Sequence, residues 1–200
     1  CEMTQIGLNV PPGFTVTTAA CLAYLESNKL PDGLMDGIRT HMAALEKKTG
    51  KSFGGSKNPL LISVRSGSAI SMPGMMDTIL NLGLNDVSLQ GLIEQTKDQR
   101  FAYDAYRRFI QLFGNIALGI EDKQFKEKME ALKRKHGARL DLDLSAEHLK
   151  DLVGEFLEIV RRHTGKPFPQ DPYEQLEISV GAVFRSWMGK RAVDYRKQFK

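Results

Sequence analysis

The stretch "LSAEHLKDLVGEFLEIVRRHTGKP", residues 144–167, sets its apolar side chains at 149, 152, 153, 156, 157 and 160. Recurrence at three and four residues gathers them on one face of an α-helix. Such a stripe is stable only when another apolar surface covers it. Cations, then Gly165 and Pro167, suit the helix C-terminus. The stretch "RFAYDAYRRFIQLFGNIALGI" has the same periodicity through positions 102, 106, 109, 113 and 116. A third, "DPYEQLEISVGAVFRSW", opens with Asp171 as N-cap, Pro172 at the first helical position and Glu174 closing a capping box. Its stripe is Leu176, Val180, Val183, Phe184 and Trp187. Residues 86–165 therefore read as helices packed on one another.

Residues 1–85 read differently, as α+β. "GFTVTT" suits a short strand ending at a Thr pair that caps a helix running to Asn28. "DGLMDGIRTHMAALEKKTG" has helical spacing through Leu34, Ile38, Met42 and Leu45, and Gly50 stops it. "PLLISVR" is a β-branched run without alternation, expected to be buried on both faces, and "DTILNLGLN" offers a partner strand. The simplest architecture is a mixed core carrying a four- or five-helix insertion, with 1–85 as the α/β part, 86–170 as the insertion and 171–200 returning to the core.

The chain is 42% hydrophobic and 26% charged over 200 residues, so it can bury a core and is not compositionally disordered. No apolar run reaches the roughly 18–20 residues that span a bilayer, and the first ten residues lack the pattern of a signal peptide. They also begin without an initiator Met, as if cut from a longer chain. Two cysteines, Cys1 and Cys21, are too few for a disulfide framework or a metal site. Net charge is +4, with acidic residues interleaved in "KEKMEALKRKHGAR", and no aromatic-basic module argues for nucleic acid. "TGKS" at 49–52 lacks the glycine of a phosphate loop, since Leu45 stands there, and reads as a helix stop. "DLDLSAE" lacks the Gly and terminal Glu of a calcium loop and reads as a turn into an N-cap at Ser145. The histidines His41, His136, His148 and His163 have no metal-ligand spacing and belong to polar helix faces or ends.

One stretch is not explained by packing: "SVRSGSAISMPGMMDTILNLGLN", residues 63–85. A strand ending in Arg65 carries its guanidinium to a sheet edge, and that planar fork of donors suits phosphate oxygens. Ser66, Gly67, Ser68 and Ser71 can offer hydroxyls and backbone N–H groups with little bulk, and Gly74 permits a second close approach. Met75 and Met76 are apolar and polarizable enough to lie against an adenine face. On residue chemistry alone, an anion loop and a packed turn with a buried Arg65 ion pair stand level. Arg107 and Arg108 sit mid-helix among aromatics, so one of them must point near the apolar side. Snorkelling to solvent is the simpler reading there, and reaching across to a phosphate the functional one.

Four segments carry a resemblance: "EMTQIGLNVPPGFTVTT", "PLLISVRSGSAISMPGMMDTILNLGLND", "RFAYDAYRRFIQLF" and "AVFRSWMGKRAVDYR". In this order they resemble the N-terminal nucleotide-binding domain of the pyruvate phosphate dikinases, which are ATP-grasp enzymes. Phosphoenolpyruvate synthases share a shorter version around "VRSS", and "SMPGMMDT" points to the dikinases. The resemblance implies the first lobe of an ATP-grasp-type α+β domain with a large helical insertion. It also implies binding of MgATP and transfer of its β-phosphoryl group to a histidine, with AMP and pyrophosphate as products. A swivelling domain then carries the phosphohistidine to a barrel that makes phosphoenolpyruvate from pyruvate. Residue by residue, Arg65 in "SVRSG" matches the phosphate-contacting arginine and Arg108 in "YRR" a second one. Met76, Asp77 and Thr78 match the loop lining the nucleotide.

Other parts of the family's site have no counterpart here: a glycine-rich segment with an ATP-binding lysine before "EMT", and a second lobe with magnesium-binding carboxylates after "YRK". The resemblance therefore implies a fragment that neither turns over nor tightly holds ATP by itself. It also implies inorganic phosphate as co-substrate, a homo-oligomeric full-length enzyme, and a cytoplasmic location or an organelle in a eukaryotic source. No nucleic-acid or membrane partner is expected. Two competing readings are a helical interaction domain over 86–170 and the nucleotide domain of a phosphoenolpyruvate synthase-like phosphotransferase.

Overall fold

The helices that begin at Asp86, Gln99, Ala146 and Pro172 each start beside a side chain that accepts from a backbone N–H of the first turn. A computed structural model describes residues 2–67 and 76–198. The chain forms two compact units, residues 1–51 and 52–200.

In the first unit, α1 (Glu2–Gln5) is a single turn, α2 runs Thr18–Ser27 and α3 runs Leu34–Thr49. Asn28 and Gly50 both take left-handed backbone conformations after α2 and α3, as the sequence required. "GFTVTT" is not a strand: residues 13–17 are irregular and Thr18 already belongs to α2. A β-rich run with no neighbouring strand to pair with cannot satisfy its backbone as a sheet. Ile38 and Met42 form the buried face of α3, and the ring of His41 stacks on Phe14 with 5.4 Å between centroids.

Among the described residues of the second unit are four short strands: β1 (Ser52–Phe53), β2 (Pro59–Leu60), β3 (Ile62–Arg65) and β4 (Thr78–Leu82). Strands β1 and β2 pair in parallel, and β3 and β4 antiparallel. The expected continuous strand "PLLISVR" is therefore split, and β3 alternates between half-buried and exposed residues instead of burying both faces. Its partner β4 buries Ile79 and Leu82, three residues apart, which a regular strand would send to opposite faces. A register irregularity between Ile62 and Val64 resolves this, with Asn81 at φ +60 absorbing one extra residue.

The described residues of this unit also form the helices α4 (Asp86–Thr96), α5 (Gln99–Ile116), α6 (Asp122–His136), α7 (Ala146–Thr164), α8 (Pro172–Ser186) and α9 (Lys190–Gln198). A 3-10 turn, Asp141–Asp143, precedes α7. The stripe of α5 packs on α7, α4 and β4, and α8 packs on both β3 and β4. Phe168 closes the core edge-on against Tyr106, Phe109 and Phe113, and Phe125 meets Phe156 with 4.9 Å between ring centroids. Ser145 caps α7 through the His148 N–H, and Gly165 ends it at φ +71. Asp171 caps α8, but it accepts from the Tyr173 N–H and not through a box closed by Glu174. Gln175, fully buried on α8, donates to the carbonyls of Leu84 and Pro169 and accepts from the Gly83 N–H. Gly83 is required there: its φ is +96, and a side chain would meet the Phe53 ring at 2.8 Å.

Candidate functional site

The antiparallel register sets Arg65, the last residue of β3, opposite Thr78, the first of β4. Arg65 is exposed, while Met76, Asp77 and Thr78 are half-buried. The guanidinium of Arg65 thus leaves the ribbon on its solvent face, at the same end as the Met76–Thr78 segment. Ser66 and Gly67 follow Arg65 directly. Ser68, Ser71, Gly74 and Met75, named above as possible anion and adenine contacts, lie outside the described residues.

The segment is tied to the end of α8. The Asp77 N–H donates to Ser186 Oγ at 3.4 Å, and Ser186 in turn donates its hydroxyl proton to the Val183 carbonyl at 2.7 Å. The hydroxyl's lone pairs are therefore free to accept from Asp77. Across the turn between α8 and α9, Arg191 Nη2 lies 3.4 Å from Asp77 Oδ1, with the two side chains 68% and 31% exposed. Arg196 fastens that turn: its guanidinium carbon sits 4.0 Å above the Trp187 ring and its Nη1 donates to the Trp187 carbonyl at 2.7 Å. Sequence reading did not single out Arg191. The segment "GKRAVDYR" shows a cation at the start of a helix, but nothing in it reveals the carboxylate across the fold.

The two mid-helix arginines separate. Arg107 is the one that points inward, 7% exposed, bridging Asp104 at 2.6 Å and Asp141 at 2.8 Å. Arg108 is 56% exposed and reaches Asp104 Oδ2 at 2.9 Å. Asp141 also holds Lys133 at 3.2 Å, and its backbone carbonyl accepts from Arg100 at 2.6 Å. Burial pushes the Asp141 carboxyl up, but Lys133 and Arg107 outweigh it and hold the group below the usual carboxylate range. The Tyr106 phenol, pushed well up by burial despite the Gln170 amide's opposing hydrogen bond, donates to Asp86 Oδ1 at 3.1 Å. Asp86 follows the end of β4 away from Thr78. The structure thus brings Arg65, Met76, Asp77 and Thr78 to one end of the ribbon, whereas Arg108's closest described partner is Asp104 on its own helix.

Among the described residues, no group of three or more His, Cys, Asp or Glu side chains gathers as a metal ion would need. Asp77 alone does not make a magnesium cage.

Comparison with known proteins decides the family. The family model described as "Pyruvate phosphate dikinase, AMP/ATP-binding domain" matches residues 25–200. The chain belongs to this family. It is 54% identical over its whole length to the pyruvate, phosphate dikinase of Entamoeba histolytica, covering 23% of that protein. It is 48% identical to the Giardia intestinalis enzyme over 97% of this chain, covering 22% of that relative. It is 50% identical to pyruvate, phosphate dikinase 2 of Zea mays over 98% of this chain, again covering 22% of the relative. The chain therefore spans about a fifth of the length of the curated relatives it matches. The mixed helical architecture with small sheets suits the α+β nucleotide-binding domain with helical insertion that the resemblance implied.

Proposed function

We propose that the end of the β3–β4 ribbon is one wall of an ATP site, with Arg65 as its principal phosphate ligand. The observation that carries this reading is the pairing of Arg65 with Thr78, which sets an exposed arginine at the same end of the ribbon as the Met76–Thr78 segment in a chain of this family. A guanidinium offers paired donors to phosphate oxygens and keeps its charge throughout the reaction. Phosphoryl transfer spreads negative charge over the equatorial oxygens, so a positioned cation stabilises the transition state more than the ground state. Met76, Asp77 and Thr78 line the nucleotide. Arg108 is a second phosphate ligand in this reading, and to reach a phosphate it has to leave Asp104.

The activity proposed for the full-length enzyme converts ATP, phosphate and pyruvate to AMP, pyrophosphate and phosphoenolpyruvate by way of a phosphohistidine. Its further partners are the swivelling histidine domain and the pyruvate barrel, in a cytoplasmic or organellar homo-oligomer. Magnesium enters with the nucleotide, and the described residues do not form its cage. No described helix is long and apolar enough to cross a membrane.

The test is Arg65→Ala in the full-length enzyme. Formation of phosphohistidine from ATP should fall by at least about a hundredfold, as for loss of one transition-state charge contact. The melting temperature should stay within a degree or two, because Arg65 is exposed. Residual activity that tracks only the amount of folded protein would make Arg65 a structural residue and end this reading.

A further inference from the structure

We propose that Ser186, the last residue of α8, is a positioning residue of the ATP site: its hydroxyl holds the Asp77 backbone and so fixes the segment along which the nucleotide lies. The inference rests on the reading of Arg65 and the Met76–Thr78 segment given above. It starts from where the β3–β4 ladder ends. Arg65 and Thr78 are its last pair, so the Asp77 N–H lies outside β4 and needs a partner from elsewhere. That partner is Ser186 Oγ, at 3.4 Å and 109 residues further along the chain. The Asp77 carboxylate meets the same corner of the fold, where Arg191 of α9 lies 3.4 Å away.

Ser186 is placed by a helix that the strands themselves hold. α8 packs on both β3 and β4, and its residues 179–184 are all buried. The hydroxyl proton of Ser186 goes to the Val183 carbonyl at 2.7 Å, which sets the side-chain rotamer and leaves the lone pairs to Asp77. Directly after it the chain turns, and the Gly189 N–H donates to the Ser186 carbonyl at 3.0 Å. Arg196 fastens that turn on Trp187. The acceptor therefore stands on rigid elements, whereas Met76 and Asp77 precede the strand and have no ladder to hold them. A wall made of such residues keeps a productive geometry only when a contact of this kind sets it. Ordering it before the nucleotide arrives lowers the entropic cost of binding.

The experiment measures binding of a non-hydrolysable ATP analogue to the full-length enzyme by calorimetry. Ser186→Ala should weaken the analogue about fivefold, while hydrogen exchange at the Asp77 N–H accelerates. Ser186→Thr, which keeps the hydroxyl, should bind within about twofold of the parent enzyme. Ser179→Ala is the control: it removes another α8 hydroxyl, fully buried, that donates to the Gln175 carbonyl at 2.7 Å and not to the segment. It should lower the melting temperature and leave the affinity unchanged. Weakening of the same size in Ser186→Thr or in Ser179→Ala would make the effect one of helix packing and overturn the proposal. Unchanged affinity in Ser186→Ala, beside a clear loss in Arg65→Ala, would overturn it while sparing the ATP-site reading. Unchanged affinity in Arg65→Ala would remove that reading, and the Ser186 proposal with it.

Discussion

Arg107 and Arg108 are neighbours in sequence, yet one side chain is 7% exposed and the other 56%. Successive helical positions point about 100° apart, so when the α5 stripe faces the core only one of the two can turn outward. The sequence showed that one must point inward but left open which, because that depends on where Asp141 arrives from another part of the chain. The consequences for stability differ. Arg107→Ala should cost about 2 kcal/mol, since it removes the buried cation that Asp104 and Asp141 share while each keeps a second one. Arg108→Ala should cost no more than about 1 kcal/mol, as expected for an exposed pair. Urea denaturation of the two variants side by side checks this, and equal losses would contradict the burial difference. Arg191 makes the same point from the other direction: nothing in its sequence neighbourhood reveals that it meets Asp77.

Helix ends were the most legible elements, because a cap is a local matter of one side chain and the next backbone N–H groups. Ser145, Asp171, Gly50 and Gly165 all occupy the expected places. Strands were less legible. "GFTVTT" found no pairing partner, and "PLLISVR" became two short strands, of which only β3 alternates in burial. The irregularity that lets both Ile79 and Leu82 turn inward depends on pairing with β3, which no periodicity within β4 could reveal. The link between β4 and α4 is tied to α8 by Gln175. Replacing it by Met should preserve volume but strand the Gly83 N–H and the Leu84 and Pro169 carbonyls, at about 3 kcal/mol. A drop in the urea midpoint, with hydrogen exchange accelerating first at Gly83 and Leu84, is the expected signature; unchanged protection at both would argue against it.

For the molecule as a whole, acid is the condition that should loosen it, through residues 52–200. Asp122, hydrogen-bonded by Lys126 and Gln111, has its carboxyl held below the usual range, as does Asp141. Arg161 and Arg162 hold Glu158 down to about 2. Each group binds its proton more weakly folded than unfolded, so its contribution is present above the unfolded pKa and is lost as pH falls through the folded one. The urea midpoint should therefore stay level from about pH 7 to 5 and fall below about pH 4.5. A midpoint unchanged down to about pH 2.5 would show these pairs to be without effect on folding. The sequence by itself determined where the long helices lie, how they end, that Arg65 closes a strand, and the family to which these motifs belong. All of these depend on spacing within a few residues. The tertiary structure alone decided that Arg107 is buried, that Arg65 meets Thr78, and that Arg191 comes to Asp77. Those contacts join residues far apart in the chain, and their energies depend on burial and distance, which exist only once the chain has folded.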